Sequence, residues 1–324
     1  MTEDLRWLAA AAALSARARP LSRPNPGVGA IIVRDGKVIS RGWTQAGGRP
    51  HAEADALARI GMKAEGATLY VSLEPCAHVS TRGPSCSDLI CASGLSHVVV
   101  GCMDPDPRTA GAGLARIREA GIAAEFLPSE ACRMSLSGYL STRVLGRPEV
   151  TLKLALSLDG CIAMANGESQ WITGPESRAH THAMRAKADA ILVGGGTLRS
   201  DAPRLDVRLP GLETRSPIRW VLTHGEAPEG WHKLASPHAV HDMEGVQYLF
   251  AEGGAGAATA FLREGLVDRL LIYRAPILIG GKPVLGDYGL ATLAQAHGRW
   301  KLVERRQLGS DTLEVYSAIK PAEG

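Results

Sequence analysis

The sequence His-Ala-Glu at residues 51–53 is followed by Glu-Pro-Cys at residues 74–76 and then by Cys86. One imidazole and two thiolates suit a tetrahedral zinc ion, and a catalytic zinc site keeps its fourth position for water. Bound zinc lowers the pKa of that water toward about 7, so a neighbouring group must carry the released proton. We therefore predict a zinc site formed by the histidine and the two cysteines, with Glu53 as the proton carrier.

The local sequence places these residues where strands end and helices begin. His51 opens a predicted helix over 51–60, Cys76 follows a predicted strand over 67–73, and Cys86 opens a predicted helix over 86–93. Helix N-termini carry partial positive charge, which favours a thiolate and lowers the pKa of a cysteine. The alternative is a core histidine with two unrelated cysteines. It does not explain why residues of the metal-binding motif also lie at the starts of predicted helices.

Strands alternate with helices throughout the first half, which predicts an α/β sandwich with a largely parallel sheet. The further predicted elements are helices over 3–18 and 113–120, strands over 28–33, 37–43, 96–100 and 122–126, and a connecting helix over 132–145. A break at Gly146-Arg147-Pro148 divides the 324 residues into two predicted domains, 1–146 and 147–324.

The composition, 45% hydrophobic and 21% charged, is typical of a soluble globular protein. A net charge of +3 is weak evidence for anionic partners and no evidence for nucleic acid. The apolar stretch 8–14 is preceded by Glu3 and Asp4, unlike a signal peptide, and no run reaches the length of a membrane span. The cysteines are too sparse for a disulfide framework, so we expect a cytoplasmic protein in which Cys91, Cys102, Cys132 and Cys161 are small buried hydrophobes.

The pattern H-x-E followed by P-C and a second cysteine is typical of zinc deaminases. The first half resembles the deaminase domain of the bifunctional riboflavin-biosynthesis deaminase/reductase family. The matching stretches are 24–29 (PNPGVG), 51–54 (HAEA), 73–78 (LEPCAH), 84–86 (PSC), 101–107 and 111–113. The resemblance implies a cytidine-deaminase-like α/β/α sandwich, zinc ligands His51, Cys76 and Cys86, Glu53 as proton shuttle, and substrate contacts from Asn25 and His78.

One departure lies between the two cysteines. The family usually has C-S-H-H-G-R-T-P-P-C, whereas residues 76–86 are CAHVSTRGPSC, one residue longer and without the second histidine. The loop only has to return to the ion, so we expect the metal site to be kept while substrate contacts from residues 79–83 change.

The second half again alternates strands and helices. Strands are predicted over 149–157, 190–193, 218–223, 247–251, 270–273 and 313–317, and helices over 176–188 and from about 256 to 263. Glycine-rich turns at 194–196 and 253–256 each follow a strand directly. Such turns let backbone N–H groups approach a phosphate. The second turn lacks the last glycine of G-x-G-x-x-G, which argues against a Rossmann domain and favours another kind of phosphate-binding turn.

This half resembles the reductase domain of the same family, which has a dihydrofolate-reductase-like α/β fold. The matching stretches are 153–160, 167–173, 185–191, 197–208, 252–254 and 266–268. The resemblance implies that NADPH is held by Ala155, Trp171, Thr197, Asp201, Gly254, Ala255 and Gly256. It also implies that the ribosyl-phosphate substrate is held by Ser169, Arg185, Leu205, Arg208 and Glu252. Arginine suits the phosphate because a guanidinium matches its oxygens. Lys153 is the candidate for polarising or protonating the opened sugar.

A second departure follows the strand at 218–222. The family normally has an aspartate and a serine there and then a long segment with a strand and a helix. This chain has Thr223-His224-Gly225 and reaches Glu252 quickly, so we expect a peripheral strand–helix unit to be missing around 224–246.

The predicted function is two successive steps of riboflavin synthesis. Zinc-dependent deamination of 2,5-diamino-6-ribosylamino-4(3H)-pyrimidinone 5′-phosphate is followed by NADPH reduction of the ribosyl side chain of 5-amino-6-(5-phosphoribosylamino)uracil. A second hypothesis keeps the deaminase but makes the second half a degenerate, non-reducing domain. A third is a base deaminase of the tRNA type. We expect small phosphorylated pyrimidines as partners, no nucleic acid, no membrane, and a homo-oligomer, either dimer or tetramer.

Overall fold

The computed structural model describes residues 2–78 and 81–319, so the part of the 77–85 loop at residues 79–80 lies outside the described residues. The chain divides into two compact units, one ending at Gly146 and the other beginning at Arg147. Each unit is built around its own sheet.

The first unit contains six α-helices and five strands in the described residues. Its helices are α1 (Glu3–Ser15), α2 (Ala52–Ala58), α3 (Cys86–Cys91), α4 (Ala112–Glu119), α5 (Glu130–Ser135) and α6 (Ser137–Val144). Its strands are β1 (Gly29–Arg34), β2 (Lys37–Trp43), β3 (Thr68–Val71), β4 (His97–Val100) and β5 (Ala123–Phe126), in the order β2-β1-β3-β4-β5. The β1 strand pairs antiparallel with both β2 and β3, and β3, β4 and β5 run parallel. The expectation of a largely parallel sheet is therefore corrected to a mixed sheet.

The strands of this sheet send alternate side chains into two cores. Along β1, Ile32 lies in the core shared with α2, α3 and α4, whereas Ile31 lies in the core under α1. In β4, Val99 faces α1 and its neighbours face the opposite core. Because successive strand residues point to opposite faces, helices cover the sheet on both sides.

The second unit contains three α-helices in the described residues, α7 (Pro175–Arg185), α8 (Gly195–Asp201) and α9 (Ala255–Arg263). Its strands are β6 (Glu149–Leu156), β7 (Cys161–Ala163), β8 (Ala190–Gly194), β9 (Ile218–Leu222), β10 (His232–Leu234), β11 (Tyr248–Ala251), β12 (Arg269–Arg274), β13 (Lys282–Pro283), β14 (Trp300–Leu308) and β15 (Asp311–Ala318). The main sheet has the order β10-β9-β8-β11-β6-β12-β15-β14, parallel from β10 to β12 and antiparallel from there to β14. The short strands β7 and β13 form a separate pair.

Helix boundaries follow local chemistry. Thr2 caps α1 by accepting a hydrogen bond from the Leu5 N–H, and Ser85 caps α3 by accepting one from the Asp88 N–H. The first helix ends at Ser15, earlier than predicted, because the chain turns before Pro20. The connecting helix predicted over 132–145 is two helices, α5 and α6, separated at Leu136.

The segment expected to lack a strand–helix unit contains a shortened one. The β10 strand pairs parallel with β9 at the edge of the sheet, and a 3-10 helix spans Pro237–Asp242. Its Val240 is fully buried, and Leu234 and Met243 join the same core. A three-residue strand and a 3-10 turn are too short to show a clear hydrophobic period, which explains why the sequence did not indicate them.

Among the described residues, no helix combines the length and apolar character needed to cross a bilayer.

Candidate active sites

The predicted metal ligands meet at one point of the first unit. His51 precedes α2, Cys76 follows β3, and Cys86 begins α3. The His51 Nδ1 atom is 3.3 Å from the Cys86 Sγ and 3.6 Å from the Cys76 Sγ, and the three donor atoms lie within 4.8 Å of one another. Donors placed about 2.0–2.3 Å from a tetrahedral zinc ion are themselves about 3.3–3.8 Å apart. The donor set and its spacing therefore fit one zinc ion.

The local electrostatics favour a thiolate in this cluster. The side-chain hydrogen bond from Cys86 is the largest cause that lowers the pKa of Cys76, and the hydrogen bond with His51 acts in the same direction. The Cys86 backbone N–H also donates to the Cys76 Sγ over 3.4 Å. Burial alone would lower the pKa of His51, but its contacts with Cys76 and the charge of Glu53 outweigh burial and raise that pKa.

Glu53 lies in the first turn of α2 and is 3% exposed. Burial is the largest influence on its carboxyl group and raises its pKa to about 7. The side chain borders a cavity of about 340 Å³ that is also lined by His51 and Cys76. A carboxyl group whose pKa lies near neutrality can both accept and release a proton, which is what an acid/base group needs.

The two predicted substrate contacts border the same cavity. The Asn25 Nδ2 atom donates to the Gly48 carbonyl over 3.1 Å and lies 3.3 Å from the His51 Nε2, so this amide is fixed beside the imidazole. The His78 Nδ1 atom is buried and has no hydrogen-bond partner among the described residues. An unpaired buried nitrogen at a cavity wall is available to a bound polar molecule.

Sequence reasoning assigned no role to a second group of residues that line this cavity. Asp104 accepts a hydrogen bond from the Tyr139 hydroxyl over 2.8 Å, and burial raises the pKa of its carboxyl. Asp106 binds the Arg108 guanidinium through two short contacts, 2.9 and 2.6 Å, which is the largest cause of its lowered pKa. Arg143 lies 3.6 Å from the same carboxylate. The signal that could have found these residues is the Asp-Pro-Asp-Pro stretch directly after β4, since loops after parallel strands line sites.

The second unit gathers three predicted residues into a buried ionic cluster. Glu252, just after β11, forms two hydrogen bonds with Arg185 at the end of α7, of 2.6 and 3.0 Å. The Lys153 Nζ on β6 lies 3.8 Å from the same carboxylate. Burial opposes ionisation of Glu252, but the two cations outweigh it and lower its pKa; burial is also the main reason why the pKa of Lys153 is lowered.

A second cavity, of about 470 Å³, lies at the two glycine-rich turns. The turn before α9 and the turn that starts α8 face each other, and the Thr197 hydroxyl accepts a hydrogen bond from the Gly254 N–H over 3.1 Å. Of the predicted cofactor residues, Thr197, Gly254, Ala255 and Gly256 line this cavity. His224, where the expected family residues are absent, lines it too, with Thr223 and Ser236.

The remaining predicted residues are not among those that line this cavity. Trp171 is 64% exposed and stacks against the Arg178 guanidinium, and Asp201 accepts a hydrogen bond from Ser200 at the end of α8. Leu205 is a buried core residue, and Ala155 packs against the same core. Arg208 contacts His182 and Asp206 at the surface. Ser169 is partly buried in the loop before α7.

Two family models match the chain. Residues 1–102 match the cytidine and deoxycytidylate deaminase zinc-binding region, and residues 148–313 match the RibD C-terminal domain.

Individual relatives match along nearly the whole chain. Riboflavin biosynthesis protein RibD of Escherichia coli K12 is 35% identical over 361 residues, covering 95% of this chain and 98% of the relative. The protein of the same name from Corynebacterium ammoniagenes is 40% identical over 280 residues, covering 81% and 82%.

Two solved structures are similar to this chain over nearly its whole length. Acinetobacter baumannii RibD, form 1, has a TM-score of 0.85 at 33% identity. A diaminohydroxyphosphoribosylaminopyrimidine deaminase/5-amino-6-(5-phosphoribosylamino)uracil reductase from Thermotoga maritima has a TM-score of 0.86 at 29% identity. Each comparison covers 98% of this chain and 99% of the other chain.

Proposed function

The chain belongs to the RibD family of riboflavin-biosynthesis deaminase/reductases, and from this membership we propose how its residues perform the two reactions. The predicted fold class, a cytidine-deaminase-like α/β/α sandwich joined to a dihydrofolate-reductase-like α/β domain, is confirmed. The prediction of a bifunctional enzyme is confirmed as well. The first half belongs to a zinc-binding deaminase family, and the second to a reductase family that suggests a nicotinamide cofactor.

We propose that the first unit deaminates 2,5-diamino-6-ribosylamino-4(3H)-pyrimidinone 5′-phosphate. The observation that carries this proposal is the meeting of His51, Cys76 and Cys86 beside the buried Glu53 carboxyl in one cavity. A zinc ion on these three ligands would lower the pKa of water at its fourth position. Glu53 takes up a proton at its carboxylate and delivers it to the departing amino group, which leaves as ammonia. Asn25 and His78 hold the substrate in the cavity.

We propose that the second unit binds NADPH in the cavity formed by the two glycine-rich turns. The start of α9 lines this cavity, and the backbone N–H groups at a helix N-terminus favour the phosphates of a cofactor. The cofactor supplies hydride chemistry, and the protein supplies position and charge. We assign Trp171, Asp201 and Ala155 to the cofactor, as the family resemblance implies.

The ribosyl substrate of the reductase is assigned to the cluster around Glu252. Arg185 and Lys153 both face this carboxylate, and the low exposure of the three side chains keeps their charges from being screened by water. We propose that Lys153 delivers a proton to the opened sugar while Arg185 and Glu252 fix its position. Ser169, Leu205 and Arg208 complete the proposed substrate site.

The cofactor proposal is tested by Thr197→Val. Removing the hydroxyl breaks the bond to the Gly254 N–H and loosens the turn, so the Kd for NADPH should rise about fivefold, the equivalent of one hydrogen bond. Thr214→Val, at an exposed threonine of the same unit that does not line the cavity, is the matched control and should leave the Kd unchanged. Fluorescence titration with NADPH and with NADH measures both the effect and the cofactor preference; no binding of either nucleotide contradicts the proposal.

Observations on the second half of the chain argue against the two other hypotheses. A degenerate second half does not account for the Lys153–Glu252–Arg185 cluster or for the cavity at the glycine-rich turns. The tRNA-type deaminase would not need a fused RibD C-terminal domain. An RNA gel shift tests this third hypothesis, and we expect no shift.

We also propose a cytoplasmic homo-oligomer, dimer or tetramer. All six cysteines are free thiols, as expected in a reducing compartment. The edge strand β14 exposes Leu302 and Val303, each 48% exposed, which gives a second copy two apolar side chains and an open sheet edge to pair with. Light scattering on the purified protein distinguishes these states from a monomer.

A further inference from the structure

Glu74 is a buried carboxylate that the proposed chemistry does not use. Its side chain is 3% exposed, and it lies between β3 and the zinc-site residue Cys76. No lysine or arginine among the described residues forms a salt bridge with it. A buried charge needs other compensation, because the cost of removing it from water is large.

Backbone N–H groups provide that compensation. One carboxylate oxygen, Oε1, accepts from the Gly113 N–H over 3.1 Å and from the Leu114 N–H over 3.3 Å. The other, Oε2, accepts from the Gly111 N–H over 3.0 Å and lies 3.5 Å from the Asp104 N–H. The bonds to Gly113 and Leu114 are at the N-terminus of α4, where the helix dipole also favours negative charge. Both oxygens are thus fully engaged by the chain.

Other contacts also join the start of α4 to the loop that carries Cys76. The Ser87 hydroxyl, fully buried, lies 3.0 Å from the Cys76 carbonyl, to which it donates, and 3.5 Å from the Gly113 carbonyl. Position 113 has to be glycine, since a Cβ atom there would come within 2.0 Å of the Pro75 carbonyl oxygen. The start of α4 therefore packs directly against the loop after β3 that carries Cys76.

The segment held in this way supplies part of the lining of the deaminase cavity, here named the far wall: Asp104, Asp106, Arg108 and Thr109. Asp104, whose N–H faces Glu74, positions the Tyr139 hydroxyl through its side chain. Asp106, two residues on, holds Arg108 and Arg143, and these side chains all border the cavity of about 340 Å³. The zinc side and the far wall of the cavity are thus joined through one carboxylate.

We propose that Glu74 is a positioning residue for deamination. It holds the Asp104–Leu114 segment against the loop that carries Cys76 and so sets the width of the substrate cavity. This inference rests on the proposed deaminase site and adds to it a residue whose carboxylate binds backbone N–H groups and is not one of the three zinc ligands. Displacing the far wall weakens substrate binding, while Glu53 and the three zinc ligands keep their places at the start of α2, in the loop after β3 and at the start of α3.

The test is Glu74→Gln in the full-length protein. The amide keeps one acceptor oxygen but turns an NH₂ group toward backbone N–H donors. The KM for the diaminopyrimidinone substrate should rise about tenfold, whereas kcat stays within about threefold, since misplacing a binding wall costs binding first. Zinc content per chain and reductase activity, which belongs to the other unit, should remain at wild-type values. Glu119→Gln, an exposed glutamate at the end of α4, is the matched control.

A second variant tests the contact between α4 and the Cys76 loop without changing Glu74. Gly113→Ala puts a methyl group against the Pro75 carbonyl oxygen and should raise KM in the same way with Glu74 intact. If Glu74→Gln does not fold, Glu74→Asp, which withdraws the carboxylate but keeps its charge, is measured in its place.

The possible outcomes separate the inference from the proposed function. An unchanged KM in a folded, zinc-loaded variant overturns the inference while the wild-type enzyme still releases ammonia. Parallel loss of zinc and kcat at constant KM also overturns it, since Glu74 would then serve the metal alone. A wild-type protein that releases no ammonia removes the proposed function and the inference with it.

Discussion

Glu53 is the residue on which the proposed deamination depends most directly. Its carboxyl group is buried beside the predicted zinc ligands, and its neutral-range pKa suits proton transfer. Glu53→Gln should retain zinc, because the ligands are unchanged, and should lower the rate of ammonia release by about 10²- to 10⁴-fold. Metal analysis and an ammonia assay measure both quantities, with the exposed Glu65→Gln as control. Persistent deamination by the Glu53 variant would show that another group carries the proton.

Asp159 provides a pH-dependent contribution in the second unit. The Ser157 hydroxyl and the Gly280 N–H donate to its carboxylate and lower its pKa to about 2. An unfolded aspartate has a pKa of about 3.9, so folding favours the charged form, and the stabilisation is complete above pH 4 and lost as the pH falls toward 2. By calorimetry, Asp159→Asn should lower the transition temperature of the second unit at pH 6, and the difference from wild type should shrink below pH 4. A difference that is constant from pH 6 to pH 3 contradicts this assignment.

The chemical role of a residue could be predicted from the sequence where the residue belongs to a short motif. The histidine, the glutamate and the two cysteines follow from spacing and ligand preference, and the structure brings them together. Glu74 and Asp104 could not be assigned in that way, since their significance comes from backbone bonds between segments some thirty residues apart. Such contacts have no signature in a single sequence.

At the scale of elements, α2 and β2 approach each other so closely at Gly42 that no side chain fits at this position. A Cβ atom on Gly42 would lie 2.2 Å from the Ala52 carbonyl oxygen and 2.5 Å from the Ala56 nitrogen. Gly42→Ala should destabilise the first unit by about 1–3 kcal/mol and weaken zinc retention, because α2 carries Glu53 and follows His51. Urea unfolding and chelator competition measure the two effects. Arg41→Ala, an exposed neighbour on β2, should change neither, and a Gly42 variant that matches wild type contradicts the close packing.

Elements with a clear apolar pattern were predictable, and short or polar ones were not. The strands β1 and β4 are buried almost throughout and match their predicted positions. By contrast, β14 has seven consecutive exposed residues and no apolar alternation, so its pairing with β15 could be learned only from the structure. Tertiary pairing, not local preference, makes this segment a strand.

At the scale of the whole molecule, the chain combines two activities in two compact units. The alternation of strands and helices predicted the α/β class of both units, but the antiparallel pairing of β1 with β3 and the antiparallel edge at β15 and β14 were not predictable from it. Sheet order depends on which strands share a core, and many orders satisfy the same hydrophobic pattern.

The most direct test of the account is an assay of the purified full-length protein with the diaminopyrimidinone ribosylamine 5′-phosphate and NADPH, in which ammonia and NADPH are followed separately. We expect ammonia to appear first and NADPH to be consumed in equal amount afterwards. Glu53→Gln should lower both signals by about 10²- to 10⁴-fold, whereas Lys153→Met should lower only NADPH oxidation. Ammonia release by the wild-type protein without any NADPH oxidation would contradict the central claim that both units of this chain are catalytic.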